Sequence, residues 1–128
     1  MKYLLDTHTL IWYFERKLEV NKKPKTLIDN HENSIYVSIV SIWEIVIKQC
    51  AKRLHLNFTI DDLFESIKIR GYTLLPIKEE HLRFNLDLPM IHGDPFDRLL
   101  IATAISENMK FITSDKENQL YDVEWVWE

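Results

Sequence analysis

Five acidic side chains stand beside runs where a carboxylate is out of place. Asp6 follows KYLL, Glu44 lies inside SIWEIVIK, Asp94 and Asp97 fall in DPFDRLLIATA, and Asp115 ends FITSD. Two carboxylates at ~4 Å repel by roughly 4 kcal/mol at an effective dielectric near 20. A group of four or five is therefore costly unless a cation sits among them. No histidine or cysteine cluster accompanies the acids, and Cys50 is the single cysteine. An all-oxygen ligand set suits Mg²⁺ or Mn²⁺ better than zinc. Hard divalent ions held by carboxylates serve phosphate chemistry. They polarise the phosphoryl oxygen, activate water, and clamp attacking and leaving oxygens.

The elements that must position these acids are legible in outline. Lys2 to Leu5 is a short apolar strand that ends at Asp6. Thr7 opens a helix whose Leu10, Ile11 and Phe14 recur at helical spacing. Pro24 to about Asn30 reads as a short helix, since Pro suits a first turn. Ile35 to Ser38 is a β-branched and aromatic strand. Ser41 and Glu44 have capping-box spacing, which predicts a helix from Ile42 to about Arg53 with Glu44 in its first turn. Ile60 to Arg70 is an amphipathic helix stopped by Gly71, Thr73 to Ile77 a strand, and Glu79 to Leu88 a helix closed by Pro89. Asp94 and Pro95 are a cap and first position for a helix through FDRLLIATAISEN. KFIT and EWVW are the last two strands.

Strand–helix alternation with short apolar strands predicts an α/β fold around a central, mainly parallel sheet flanked by helices. In such sheets chemistry collects at the carboxyl ends of the strands. The five acids map to that edge from segments far apart in the chain.

Each acid also has a purely structural reading. Asp6 suits a strand-end turn or helix cap, and Glu44 suits a capping partner of Ser41 or an i,i+4 partner of Lys48. Asp94 is a good N-cap, Asp97 is favoured by a helix dipole, and Asp115 falls in a polar loop. Ile42, Trp43, Ile45, Val46 and Ile47 make the Glu44 helix apolar nearly all round, which predicts burial and a paired or ligating acid. The structural readings give no reason for the acids to converge.

Composition bounds the rest. The chain has 128 residues, 46% hydrophobic and 28% charged, which suits one globular domain over residues 1–128. Two glycines, Gly71 and Gly93, exclude a P-loop and a dinucleotide-binding glycine fingerprint. Net charge is −4, so nucleic acid is not held by bulk positive charge. The lysine-rich stretch 16–25 is a solvated connector or a local positive patch. No apolar run reaches the ~18 residues of a membrane span, and the expected location is the cytoplasm.

LLDTH, SIWEIVIK, DPFDRLLIATA and FITSD, in that order, resemble the PIN-domain ribonucleases. More narrowly they resemble VapC-type toxins of bacterial type II toxin–antitoxin systems. The resemblance implies a Rossmann-like PIN fold with five strands in the order 3-2-1-4-5. It implies catalytic and metal-binding roles for Asp6, Glu44, Asp97 and Asp115, with Asp94 as a further ligand in one branch. It implies one or two Mg²⁺ or Mn²⁺ ions, hydrolysis of RNA phosphodiesters, a homodimer, and a cognate antitoxin. Thr7, Thr113 and Ser114 flank the acids and suit orientation of ligands or water, with helix capping as the alternative for Thr7. Lys48 and Arg98 suit contact with the RNA backbone, or plain pairing with Glu44 and Asp97. His92 is a candidate general base.

Two rival readings differ in class. A phosphotransferase using Asp6 as nucleophile, as in the haloacid-dehalogenase enzymes, needs a second Asp two residues on, where this chain has His8. A non-catalytic interaction domain would have no use for all four acids. The aromatics Trp12, Tyr13, Phe14 and Trp43 suit a core or dimer surface, and Trp125 and Trp127 share one face of the last strand.

Overall fold

The computed structural model describes residues 1–19 and 21–128; Val20, inside the basic stretch, lies outside them. Five strands are β1 (Lys2–Leu5), β2 (Ser34–Ser38), β3 (Thr73–Leu75), β4 (Lys110–Ile112) and β5 (Trp125–Val126). Six helices are α1 (Thr7–Phe14), α2 (Lys22–Asp29), α3 (Ile39–Cys50), α4 (Ile60–Ile69), α5 (Glu79–Asp87) and α6 (Pro95–Ser106). The strands form one sheet in the order β3-β2-β1-β4-β5, and all four pairings are parallel. This is the expected order.

Alternation along the strands sends side chains to two cores, because successive residues of a strand point to opposite faces. Tyr3, Leu5, Ile35, Val37 and Ile112 pack with residues of α1, α2, α3 and α4. Leu4, Leu75 and Phe111 pack with Leu99, Leu100, Ile101 and Ala104 of α6. With both faces covered, the central strands read as apolar runs.

The largest departure from expectation is the start of α3. The helix begins at Ile39, with Ser38 as N-cap, its Oγ accepting from the Val40 amide at 3.0 Å. Strand β2 runs into α3 without a loop, so the expected Ser41–Glu44 capping box does not form. Both residues lie within the helix, Glu44 beyond its first turn, and the helix ends at Cys50 instead of Arg53. Nor is α3 buried all round, since Trp43 and Val46 are exposed. Strand β3 stops at Leu75, short of Pro76 and Ile77, and β5 is Trp125–Val126 only. The polar segment after β4 contains an unforeseen 3₁₀ turn, Asn118–Leu120.

The end of α4 was legible: Gly71 beyond it has φ +73°, which favours glycine. At its start the Thr59 and Asp62 side chains exchange bonds with each other's amides in a capping box.

Candidate active site at the carboxyl edge of the sheet

Strand register assembles the centre of the site. Leu5 pairs with Ile112, and the Asp6 amide donates to the Ile112 carbonyl at 3.1 Å. Asp6 and Thr113 are therefore neighbours one step beyond the paired strands. Thr113 Oγ1 donates to Asp6 Oδ2 at 2.7 Å, and both residues are buried. Asp6 occupies the N-cap position of α1, yet its side chain makes no capping hydrogen bond. Its carboxylate faces the site.

Because α3 starts directly from β2, its inward face lies against the start of α1. Thr7 Oγ1 donates to Ser41 Oγ at 3.0 Å, both fully buried. Glu44, one turn on, is 2% exposed. Lys48 Nζ donates to Glu44 Oε2 at 2.7 Å, so the pairing alternative for Lys48 is realised. Asp97 comes from the first turn of α6 and is also buried. Asp94 caps that helix, its Oδ1 accepting from the amides of Phe96 at 2.9 Å and Asp97 at 3.2 Å. Asp115 lies after β4, half-buried, with its amide donating to Thr113 Oγ1 and its Oδ1 accepting from the Glu117 amide. Ser114 is half-buried, and no hydrogen bond of its side chain is found among the described residues.

The charges of the acids bear on one another's ionisation. Burial raises the Asp6 carboxyl from 3.8 to about 6, with the charges of Glu44 and Asp115 adding to it. The Thr113 hydroxyl and the Thr7 amide oppose that rise. Burial likewise raises Asp97 to about 7, helped by Asp6, Asp94 and Glu44 and opposed by Asn118. One oxygen of each inner acid, Asp6 Oδ1 and Glu44 Oε1, is buried without a hydrogen-bond partner among the described residues. A buried charged oxygen without a partner is costly. It fits a hard cation, and the oxygen-only donors around it fit Mg²⁺ or Mn²⁺. Among the described residues, no group of three or more His, Cys, Asp or Glu side chains stands close enough as arranged here to hold a metal ion.

The pairing alternative for Arg98 is not realised. Arg98 pairs with no acid among the described residues. Its guanidinium donates to the carbonyls of Pro89, Asn85 and Leu88 and to the Tyr121 hydroxyl, tying α6 to the end of α5. The basic stretch also lies away from the acids, since Arg16 follows the far end of α1 and Lys25 is bonded to Asp29. His8, two residues after Asp6, is exposed and leans on Trp12 at 5.7 Å between ring centroids. It supplies no second acid.

Asn118 is the residue that sequence reasoning missed. It is fully buried, with Nδ2 3.5 Å from both Asp6 Oδ2 and Thr113 Oγ1. Its Oδ1 lies 2.7 Å from His92 Nε2. The only signal in the sequence was an asparagine in a polar loop, where an exposed turn residue is the ordinary expectation.

A scan against protein-family models matches the PIN domain over residues 3–125. The chain belongs to the PIN domain family. Among solved structures, this PIN domain is similar to VapBC of Salmonella typhimurium bound to DNA, at 16% identity and TM-score 0.72, covering 98% of this chain and 97% of that one. It is similar to VapBC2 of Rickettsia felis bound to a promoter DNA fragment, at 15% identity, TM-score 0.69 and full coverage of both chains. FitAcB of Neisseria gonorrhoeae matches at 18% identity and TM-score 0.63, over 96% of this chain and 95% of that one. At these identities the likeness establishes the fold. Comparison with curated proteins finds no match.

Proposed function

We propose that this PIN domain is a metal-dependent endoribonuclease and the toxin partner of a VapC-type toxin–antitoxin pair. The observation that carries the reading is the pair of buried, partnerless oxygens, Asp6 Oδ1 and Glu44 Oε1, beside a third buried acid, Asp97. Asp6, Glu44 and Asp97, with Asp115 directly or through water, would hold one or two Mg²⁺ or Mn²⁺ ions. Such an ion, when bound, supplies Lewis acidity at a phosphoryl oxygen.

The chain's own groups prepare that arrangement. Thr113 engages Asp6 Oδ2 and leaves Oδ1 as the open donor. Lys48 engages Glu44 Oε2 and leaves Oε1 open in the same way. The Lys48 side chain is 31% exposed, so it can also meet an RNA phosphate at the rim. Asp97, raised to about 7, carries a proton for part of the time at neutral pH and releases it when a counter-charge arrives. Asp94 orients the first turn that carries Asp97.

Partners follow the same reading: RNA as substrate, a cognate antitoxin, and a second copy of the chain. One solved neighbour, from Klebsiella pneumoniae, is itself a toxin–antitoxin complex by name. Trp43, Leu82, Phe84, Leu86 and Met90 are exposed, and a protein partner would remove that apolar area from water. The location we propose is the cytoplasm; no helix among the described residues is long and apolar enough to cross a membrane.

The test is cleavage of structured RNA by purified protein with Mg²⁺ or Mn²⁺. Cleavage that stops on chelation and is lost in Asp6→Asn supports the proposal. Cleavage that persists in Asp6→Asn rejects this site. Induction of the gene alone should arrest growth, and induction of the Asp97→Asn form should not.

A further inference from the structure

A chain of hydrogen bonds runs from α6 into the acids, and with His92 neutral each link has one consistent polarity. Arg98 Nη1 donates to the Tyr121 hydroxyl oxygen at 3.1 Å, and the His92 amide donates to the same oxygen at 3.2 Å. A guanidinium and a backbone amide can only donate. Both acceptor positions of Tyr121 are thereby used, and its own proton must point elsewhere. Its remaining neighbour is His92 Nδ1, at 3.2 Å. In a neutral imidazole whose Nδ1 accepts, the proton sits on Nε2.

That proton points at Asn118 Oδ1, 2.7 Å away. The Asn118 amide nitrogen consequently faces inward, toward Asp6 Oδ2 and Thr113 Oγ1 at 3.5 Å each, and beside Asp97. Turned over, the amide would set its NH₂ against the His92 N–H and its oxygen against carboxylates, two repulsions in a fully buried place. Asn118 adds a donor to the Asp6 oxygen already engaged by Thr113, and it leaves Asp6 Oδ1 free.

We propose that Tyr121, His92 and Asn118 form a one-way donor relay in which His92 is the Nε2–H tautomer and Asn118 positions the Asp6 carboxylate for a divalent cation. Its geometry stands alone; its purpose rests on the metal-dependent reading above. His92 thus acts as a positioning residue through Asn118, in place of the general base that the sequence suggested.

The test has two arms. Solution NMR of the metal-free protein labelled with ¹⁵N at histidine, with the pH raised until the His92 ring shifts stop changing because its neighbours hold its pKa above the ordinary value, should show neutral His92 as the Nε2–H tautomer. The Nδ1–H tautomer overturns the proposal. In the second arm, Mn²⁺ binding is read from the EPR signal of the free ion. Tyr121→Phe removes the donor to Nδ1, and His92→Leu removes the donor to Asn118. His92→Gln keeps an N–H for Asn118 Oδ1. The first two should weaken Mn²⁺ binding about 10-fold, the lower end of what a lost supporting contact costs a metal site. The glutamine variant should stay within about 3-fold of wild type. Variants that melt earlier but bind Mn²⁺ as wild type does would show a merely structural network and overturn the proposal. If wild type itself takes up no Mn²⁺, the metal-dependent reading falls and the positioning role with it. The tautomer result separates that failure from a wrong hydrogen-bond assignment.

Discussion

The two ends of α1 treat charge in opposite ways. At its start, Asp6 joins Glu44 and Asp97 in a buried group where, among the described residues, Lys48 is the one cation bonded to an acid. At its far end, Tyr13 donates to Asp29, Arg70 donates to Tyr13 at 2.8 Å, and Lys25 donates to Asp29 at 2.7 Å. Arg70 also lies over the rings of Tyr13 and Phe14. Burial pushes Asp29 up, but Lys25 and Tyr13 outweigh it and hold the carboxyl below its ordinary value. Burial pushes Asp6 and Asp97 up, and no comparable donors bring them back. One end is a closed structural tie. The other holds uncompensated charge, the condition expected of a functional site and a poor way to hold a fold together.

The largest effect that separates the two ends is on catalysis. Asp6→Asn and Asp97→Asn should each lower RNA cleavage by ~100-fold or more, the scale of losing one electrostatic partner of a transition state. Tyr13→Phe should cleave as wild type does. Single-turnover rates with Mn²⁺ measure both.

Next comes the response to metal. At about 100 times its dissociation constant, Mn²⁺ should stabilise wild type by about 2.7 kcal/mol. Tyr13→Phe should gain the same and Asp6→Asn much less, read by thermal unfolding. An equal gain in all three proteins would remove the distinction between the ends.

Without metal the sign reverses at the acidic end. Asp6→Asn removes a charge whose burial raises its pKa from 3.8 to about 6. In chelator near neutral pH it should be more stable than wild type, by of order 2 kcal/mol. The pH dependence follows from the same shifts. A carboxyl raised on folding leaves the native state holding more protons than the unfolded one. The stability it contributes is present below an ordinary value near 3.8 and is lost as pH rises through about 6 for Asp6 and about 7 for Asp97. Metal-free protein should therefore melt higher near pH 5 than near pH 8, and saturating Mn²⁺ should remove that slope. The smallest effect is at the far end. Tyr13→Phe leaves Asp29 with Lys25 but takes the oxygen from Arg70, and should cost about 1 kcal/mol in denaturant unfolding.

Legibility of the sequence followed the range of the interactions. The parallel sheet and its helices were readable because apolar spacing and caps such as Asp94–Pro95 are local. The start of α3 was misread because Ser38 and Ser41 both suit an N-cap, and strand register decides which one stands at the end of β2. Lys48 could be paired with Glu44 from its i,i+4 spacing alone. Arg98 could not be placed so simply. Its partners are carbonyls of the α5 end and the Tyr121 hydroxyl, which adjacency to Asp97 does not reveal.

By itself the sequence determined that four acids, Asp6, Asp94, Asp97 and Asp115, would follow the strands and helix starts of a small parallel α/β domain. Polypeptide periodicity and end-capping are encoded within a few residues. Only the tertiary structure decided which acids are sealed from water, which oxygens are left without partners, and that Asn118 and His92 stand behind them. Burial and hydrogen-bond satisfaction are sums over neighbours from distant parts of the chain, and here the 3.1 Å bond from Asp6 to Ile112 and the 2.7 Å bond from Thr113 to Asp6 set those sums.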